Sequence, residues 1–376
     1  MTALAVERTG TLPQLQITKH FLPEKRSGIV VVGSTTIFHN GIRQGTSSRP
    51  AGDEISPADR RKLSRDTLGG VRAQLEQHDV HFQLPVFGHA AKLGLGIATM
   101  LNTSEVQTKP TPINVYTWAD AKQRERLGAE LDRPDIGLSH EIFEINGDMP
   151  EAVTYAVTTN SDRERTIFSM PPQGGSHDID IAKDKLPEHV FLGSLPEQFL
   201  RHSLDRMINK LHASQTPYTF IPGAVTVTDE GISKPLLKAV AKAASLVVTE
   251  DELRNLVASQ NTPDKMKDLM EQGLSLMDSG SLFVVLHGGN VLGATKRDTK
   301  ITQVAATPPM DYLNADDYRD AVAIGTLRGS ALEDKLKSGI ISASFTIKTD
   351  GTFEPIPAGW EIDFRNEMSE PKITYP

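Results

Sequence analysis

The chain has 376 residues, a formal net charge of −8, 38% apolar and 23% charged residues, and no cysteine. That length suits one large α/β domain or two smaller ones, and the mildly acidic balance argues against a nucleic-acid partner, which would want a basic face. The lack of cysteine excludes disulfides, thiolate zinc sites, iron–sulfur clusters and cysteine nucleophiles. No apolar run approaches the roughly 20 residues that span a bilayer, so no membrane partner is expected. The first residues show no continuous apolar run either, and a soluble cytoplasmic protein is the expectation.

Residues 1–26 are mixed and polar and read as an N-terminal extension. The first strand is Gly28-Ile29-Val30-Val31-Val32, closed by Gly33-Ser34. A β-branched run ended by glycine fits a strand buried on both faces of a parallel sheet. The stretch from His39 to Asp53 carries Gly and Ser and reads as loop or lid. Ser56-Pro57 then opens a helix, with Ser as N-cap and Pro at the first position, and Leu63, Leu68, Val71 and Leu75 form its stripe.

A second helix is expected over 90–101 and a strand over 113–117. Shorter strands over 152–158 and 165–170 suit an antiparallel lid. Strands over 189–193 and 218–221 flank a helix over 196–211. An amphipathic helix over 233–244 leads into a buried strand over 245–248. Thr262-Pro263 caps a helix running to Met277, in which Met266, Leu269, Met270 and Met277 read as core packing. A strand over 282–286 ends at His287-Gly288-Gly289. Alternating strands and helices imply an α/β fold with a largely parallel sheet, whose ligands sit beyond the carboxyl ends of the strands.

The turn Asp311-Tyr312-Leu313-Asn314-Ala315-Asp316-Asp317-Tyr318 runs straight into a helix. The first turn of a helix carries unpaired backbone N–H groups and the positive end of the dipole, so it attracts anions. Asp317 stands beside that row, which is the pairing of base and anion hole that phosphoryl transfer to an alcohol needs. The other reading of Asp316 and Asp317 is a solvated acidic pair at a helix start. Elsewhere, Ser176-His177-Asp178 is tandem, lacks the spatial logic of a triad and reads as lid loop, and the eleven histidines show no metal-ligand spacing.

The order of these features resembles the ribokinase-like (PfkB) family of sugar and nucleoside kinases, from about Gly28 to Pro357. The partial matches are Val32-Gly33-Ser34, Phe87-Gly88-His89-Ala90-Ala91-Lys92, Glu164-Arg165-Thr166-Ile167, Ile221-Pro222-Gly223, Thr249-Glu250-Asp251-Glu252, Leu286-His287-Gly288-Gly289 and Asp311 to Asp317. The resemblance implies a three-layer α/β/α fold with a mostly parallel central sheet and a small β lid. The kinase domain would span 27–360, with lid segments at about 37–55 and 152–170 and a tail at 361–376. It implies ATP and Mg2+ as cofactors, Asp317 as general base, and Asn314, Ala315 and Asp316 in the phosphate-binding turn. Thr249 and Gly288 would lie at the nucleotide, and Glu252 would hold metal-bound water. Phe38, Asn40, Gly88 and Lys92 would face a small-molecule substrate, a sugar or related metabolite. The resemblance also admits a homodimer formed through the lid.

This chain departs from the family at several of these positions. Asn314 and Asp316 replace two glycines, Thr249 replaces an Asn, Phe38 replaces a sugar-binding Asp and Lys92 an Asn. Lys92 fits an acidic substrate group or, on the other reading, a helix surface. An ATP- and Mg2+-dependent phosphotransferase acting on a hydroxyl is therefore expected, with a degenerate ribokinase-like sensor or structural subunit as the alternative.

Overall fold

The computed structural model describes residues 28–35, 37–43, 60–62, 76, 80–82, 86–102, 110–119, 121–145, 153–159, 165–170, 179–181, 186–223, 232–257, 264–286, 290–298, 301–304, 315–327, 331, 332 and 334–336. The expected extension at 1–26, the tail at 361–376 and the Ser176-His177-Asp178 segment lie outside them.

The apolar run after Gly28 is β1 (Ile29–Gly33), buried along its whole length. Its side chains alternate between two cores, Ile29 and Val31 in one, Val30 and Val32 in the other. That alternation makes β1 a central strand with helices on both faces. Neighbours β6 (Ile113–Ala119) and β10 (His189–Gly193) pair with it in parallel. The sheet continues in parallel through β11 (Tyr218–Ile221), β12 (Ser245–Thr249) and β13 (Ser281–Val285) on one side, and β7 (Leu138–Glu144) on the other. Two antiparallel strands, β14 (Val291–Thr295) and β15 (Thr302–Val304), complete a nine-stranded sheet in the order β15-β14-β13-β12-β11-β10-β1-β6-β7.

One face carries α1 (Ala90–Asn102), α2 (Ala121–Leu131) and α8 (Ala315–Gly325), whose buried residues join the first core. The other carries α3 (Glu197–His202), α4 (Leu204–Ala213), α5 (Lys234–Lys242), α6 (Glu250–Val257) and α7 (Met266–Ser275). This is the expected three-layer α/β/α arrangement. A smaller six-stranded sheet is built from β2 (Ile37–Arg43), β3 (Arg60–Lys62), β4 (Val80–Phe82), β5 (Val86–Phe87), β8 (Val153–Thr159) and β9 (Arg165–Met170). It contains parts of both segments expected to form a lid.

Several local expectations change. Residues 60–62, expected inside a helix opened by Ser56-Pro57, form β3 and pair with Ile167 to Ser169 of β9. Sheet pairing there overrides an approximate apolar stripe. The helix expected over 196–211 is two helices, broken at Ser203, where φ is −119°. Part of the stretch expected as loop or lid after His39 is the end of strand β2, paired in parallel with β8. Residues 262 and 263 lie outside the described set, and α7 starts at Met266 with Lys265 as its N-cap residue.

Candidate functional site

Three helix starts meet at the carboxyl ends of the central strands. The first belongs to α1. The backbone N–H of Ala90 donates to the Ser34 carbonyl just past β1, at 3.3 Å. Ser34 in turn donates from its backbone N–H to the Ser194 carbonyl past β10, at 3.2 Å, and its hydroxyl reaches the same oxygen. Thr35 and Thr117 share a hydroxyl hydrogen bond of 2.8 Å beside them, both buried. At the mouth of α1, Gly88 is buried and His89 has a φ of +47°. A left-handed non-glycine residue costs roughly 1 kcal/mol and persists only where its surroundings hold it.

The second helix start is α6, directly after β12. The backbone N–H of Thr249 donates to Glu252 Oε2 at 2.9 Å, and the backbone N–H of Glu252 donates to Thr249 Oγ1 at 3.3 Å. This is a reciprocal capping box, which satisfies two donors that a helix start otherwise leaves unpaired. Both residues are buried.

The third start is α8, which packs on α1 and over β11, β12 and β13. Its first three residues are Ala315, Asp316 and Asp317, so the expected base and two of the three expected phosphate-turn positions occupy one helical turn. Two residues on, Arg319 is 0% exposed and its Nη1 donates to Glu252 Oε1. Its Nε and Nη2 donate to Asp320 Oδ1 at 3.1 and 2.9 Å. Asp320 Oδ2 lies 3.2 Å from His89 Nδ1, and the carboxylate makes that nitrogen the donor. The Arg319 Nη2 to His89 Nδ1 separation is 3.5 Å. Burial alone would raise the Asp320 pKa. The Arg319 charge and the His89 hydrogen bond outweigh it and bring the group down to about 2, so Asp320 is ionised.

Glu252, Arg319, Asp320 and His89 thus form one continuous polar chain that ties the three helix starts together. Of these, Glu252 and His89 fall within motifs of the resemblance, and only Glu252 was expected to have a role there. Arg319 and Asp320 fall in a helix that the sequence does place, yet nothing in their spacing marks them as buried. His89 stands where the motif Phe87 to Lys92 offers no polar residue to expect.

The remaining expected site residues fall into place unevenly. Lys92 lies in the first turn of α1 and is 4% exposed, so it is not a helix-surface lysine. Phe38 and Asn40 lie on β2, in register with Thr154 and Ala156 of β8, and Phe38 is also paired with Val86 of β5. Chain continuity from β5 through Gly88 and His89 roots the smaller sheet at the start of α1. Asn314 and Gly288 lie outside the described residues, as do the side chains of Asp316 and Asp317.

Mg2+, which the resemblance implies, meets a poor fit at Glu252. One carboxylate oxygen is held by Arg319 and the other by the Thr249 amide, and the residue is 2% exposed. No group of three or more His, Asp or Glu suited to a metal occurs among the described residues. A groove of about 760 Å3 opens between α2 and edge strand β7, lined in part by Arg124, His140, Glu141 and Glu144. None of the expected site residues lines it. No helix among the described residues is long and apolar enough to cross a membrane.

No protein-family model matches the chain, and no curated protein matches it in sequence. Solved structures do match in fold. The chain is similar to adenosine kinase of Anopheles gambiae, solved with a di(adenosine) tetraphosphate, with a TM-score of 0.65 and 13% identity, covering 89% of this chain and 99% of that one. It is similar to ribokinase of Thermotoga maritima (TM-score 0.59, 14% identity, 91% and 100% covered). It is also similar to Arabidopsis thaliana ribokinase, solved with ribose and ATP (TM-score 0.58, 13% identity, 90% and 98% covered). The chain therefore has the ribokinase-like fold, in a form widely diverged in sequence.

Proposed function

We propose that the chain is a phosphotransferase that moves a phosphoryl group from ATP to a hydroxyl of a sugar, nucleoside or related small metabolite. The observation that carries this reading is the start of α8. Ala315, Asp316 and Asp317 form its first turn, and Arg319 on the same helix reaches Glu252, which fixes that turn beside the carboxyl end of β12. Asp317 accepts the proton of the substrate hydroxyl as its oxygen attacks the γ-phosphorus, and the bond from phosphorus to the β,γ-bridging oxygen breaks to release ADP. The first-turn amides of 315–317 stabilise the charge that develops on the transferring group. Lys92, on α1 near the root of the smaller sheet, suits an acidic group on the substrate.

The test is a melting curve with millimolar Mg-ATP, followed by turnover on a panel of sugars and nucleosides. A ligand at 100 times its Kd stabilises the folded state by about 2.7 kcal/mol, which gives a clear upward shift. Absence of any shift would sink the kinase reading. Asp317→Asn is expected to keep the shift and lose transfer by at least about 100-fold. Equal activity in that variant would show the base to be elsewhere. The engagement of Glu252 by Arg319 favours a second reading, a nucleotide or metabolite sensor on the same fold. A melting shift in the wild type with no turnover on any substrate selects it.

A further inference from the structure

Arg319 has no solvent exposure, and its guanidinium lies between two carboxylates, Glu252 on α6 and Asp320 on its own helix. A buried pair of this kind is costly to open, because pulling one partner away leaves the other charge without compensation in a poorly polarisable interior. Glu252 is also pinned from its other side by the Thr249 amide. To order a metal-bound water, this carboxylate would have to give up one or both partners and reach solvent from a site where it is 2% exposed. Arg319 is meanwhile only two positions from Asp317, on the first turns of one helix.

We propose that Arg319 is a built-in cation that withdraws Glu252 from metal service, so that anion binding at the start of α8 uses no divalent ion anchored through Glu252. The placement of that anion site rests on the phosphotransfer reading, whereas the withdrawal of Glu252 rests on the ion pair alone. The substitution to make is Glu252→Gln, which keeps the shape, removes the charge and leaves one acceptor oxygen where Arg319 and the Thr249 amide now use two. Three measurements read it.

The first is the melting temperature in EDTA. Removing a carboxylate that serves a metal leaves a metal-free protein unchanged or more stable, whereas removing one that holds Arg319 lowers the melting temperature by several degrees. The double variant Arg319→Met/Glu252→Gln, which removes the two charges together, is expected to recover part of that loss. It also serves for the other measurements should the single variant fail to fold. An unchanged melting temperature in Glu252→Gln overturns the proposal.

The second is the affinity for ATP with Mg2+ and with EDTA. The ratio of the Kd in EDTA to the Kd with Mg2+ is expected to agree within about twofold between wild type and variant. A fall in that ratio of tenfold or more in the variant means that Glu252 helps to hold the ion, and overturns the proposal.

The third applies if ATP binds under neither condition, a result that breaks the phosphotransfer reading and leaves this one open to measurement. Titration with Mn2+ alone, followed by its electron paramagnetic resonance, is then expected to give the same bound fraction in both proteins. Loss of bound Mn2+ in Glu252→Gln overturns it.

Discussion

Tyr318 follows the expected base directly and is 1% exposed, yet its hydroxyl has no hydrogen-bond partner among the described residues. Burial pushes its pKa up, so the hydroxyl is protonated and neutral. A buried hydroxyl without a partner costs about 1–3 kcal/mol. Tyr318→Phe is therefore expected to raise stability by about 1 kcal/mol, seen as a higher urea midpoint with an unchanged slope. A lower midpoint would mean that the hydroxyl has a partner. Single residues are also where the sequence was least legible. Thr249-Glu250-Asp251-Glu252 matches a resembling motif, but the same spacing of Thr and Glu is that of a capping box, and the structure uses it as one. Arg319 and Asp320 look like ordinary helix-surface charges until α6 and α1 are brought against them. Such tertiary pairing leaves no local mark in a sequence.

At the scale of elements, the buried parallel strands were legible because apolar β-branched runs ended by Gly or Ser have few other uses. Strands β1, β10, β11, β12 and β13 fall within a residue or two of their expected limits. Helix α2 was not foreseen, since Ala121–Leu131 is mostly polar and buries Leu127 and Leu131 as its main anchors. Edge strand β7 was missed for the same reason: Ser139 and Glu141 are polar, and alternation is only partial. A close joint among the elements is that of β1 and β10, where Gly33 is in register with Gly193. A methyl group at position 33 would overlap the Gly193 carbonyl oxygen, which is backbone and has nowhere to move. Gly33→Ala is expected to cost about 3 kcal/mol or more, by the same logic as overpacking a core. Urea unfolding measures it, and a cost below about 1 kcal/mol would mean that the two strands can separate there without penalty.

For the whole molecule, a half-buried histidine and a buried aspartate both contribute to the response to acid. His189 opens β10 at the end of the sheet opposite the helix starts, with its Nε2 2.9 Å from Thr219 Oγ1. Burial, helped by the Lys335 charge, pushes its pKa down from an ordinary 6.5 to about 3. Between those values the unfolded chain binds a proton that the folded chain refuses. Stability is thus complete above about pH 6.5 and falls on the way to pH 3, by about 1.4 kcal/mol per pH unit. Asp320 acts lower down. Its folded pKa of about 2 lies below the ordinary 3.8, so its contribution is complete above pH 4 and is lost as pH falls through about 2. His189→Gln is expected to flatten the dependence of unfolding free energy on pH between about 6.5 and 4, while the steeper loss below pH 4 persists. An unchanged upper limb would assign the acid sensitivity to another group. The polar chain from His89 through Asp320 and Arg319 to Glu252 has a consequence in evolutionary terms. Each member is tolerable only with its neighbours in place, so single steps away from it pass through an unpaired buried charge. These four positions should therefore be inherited, or exchanged, as one block.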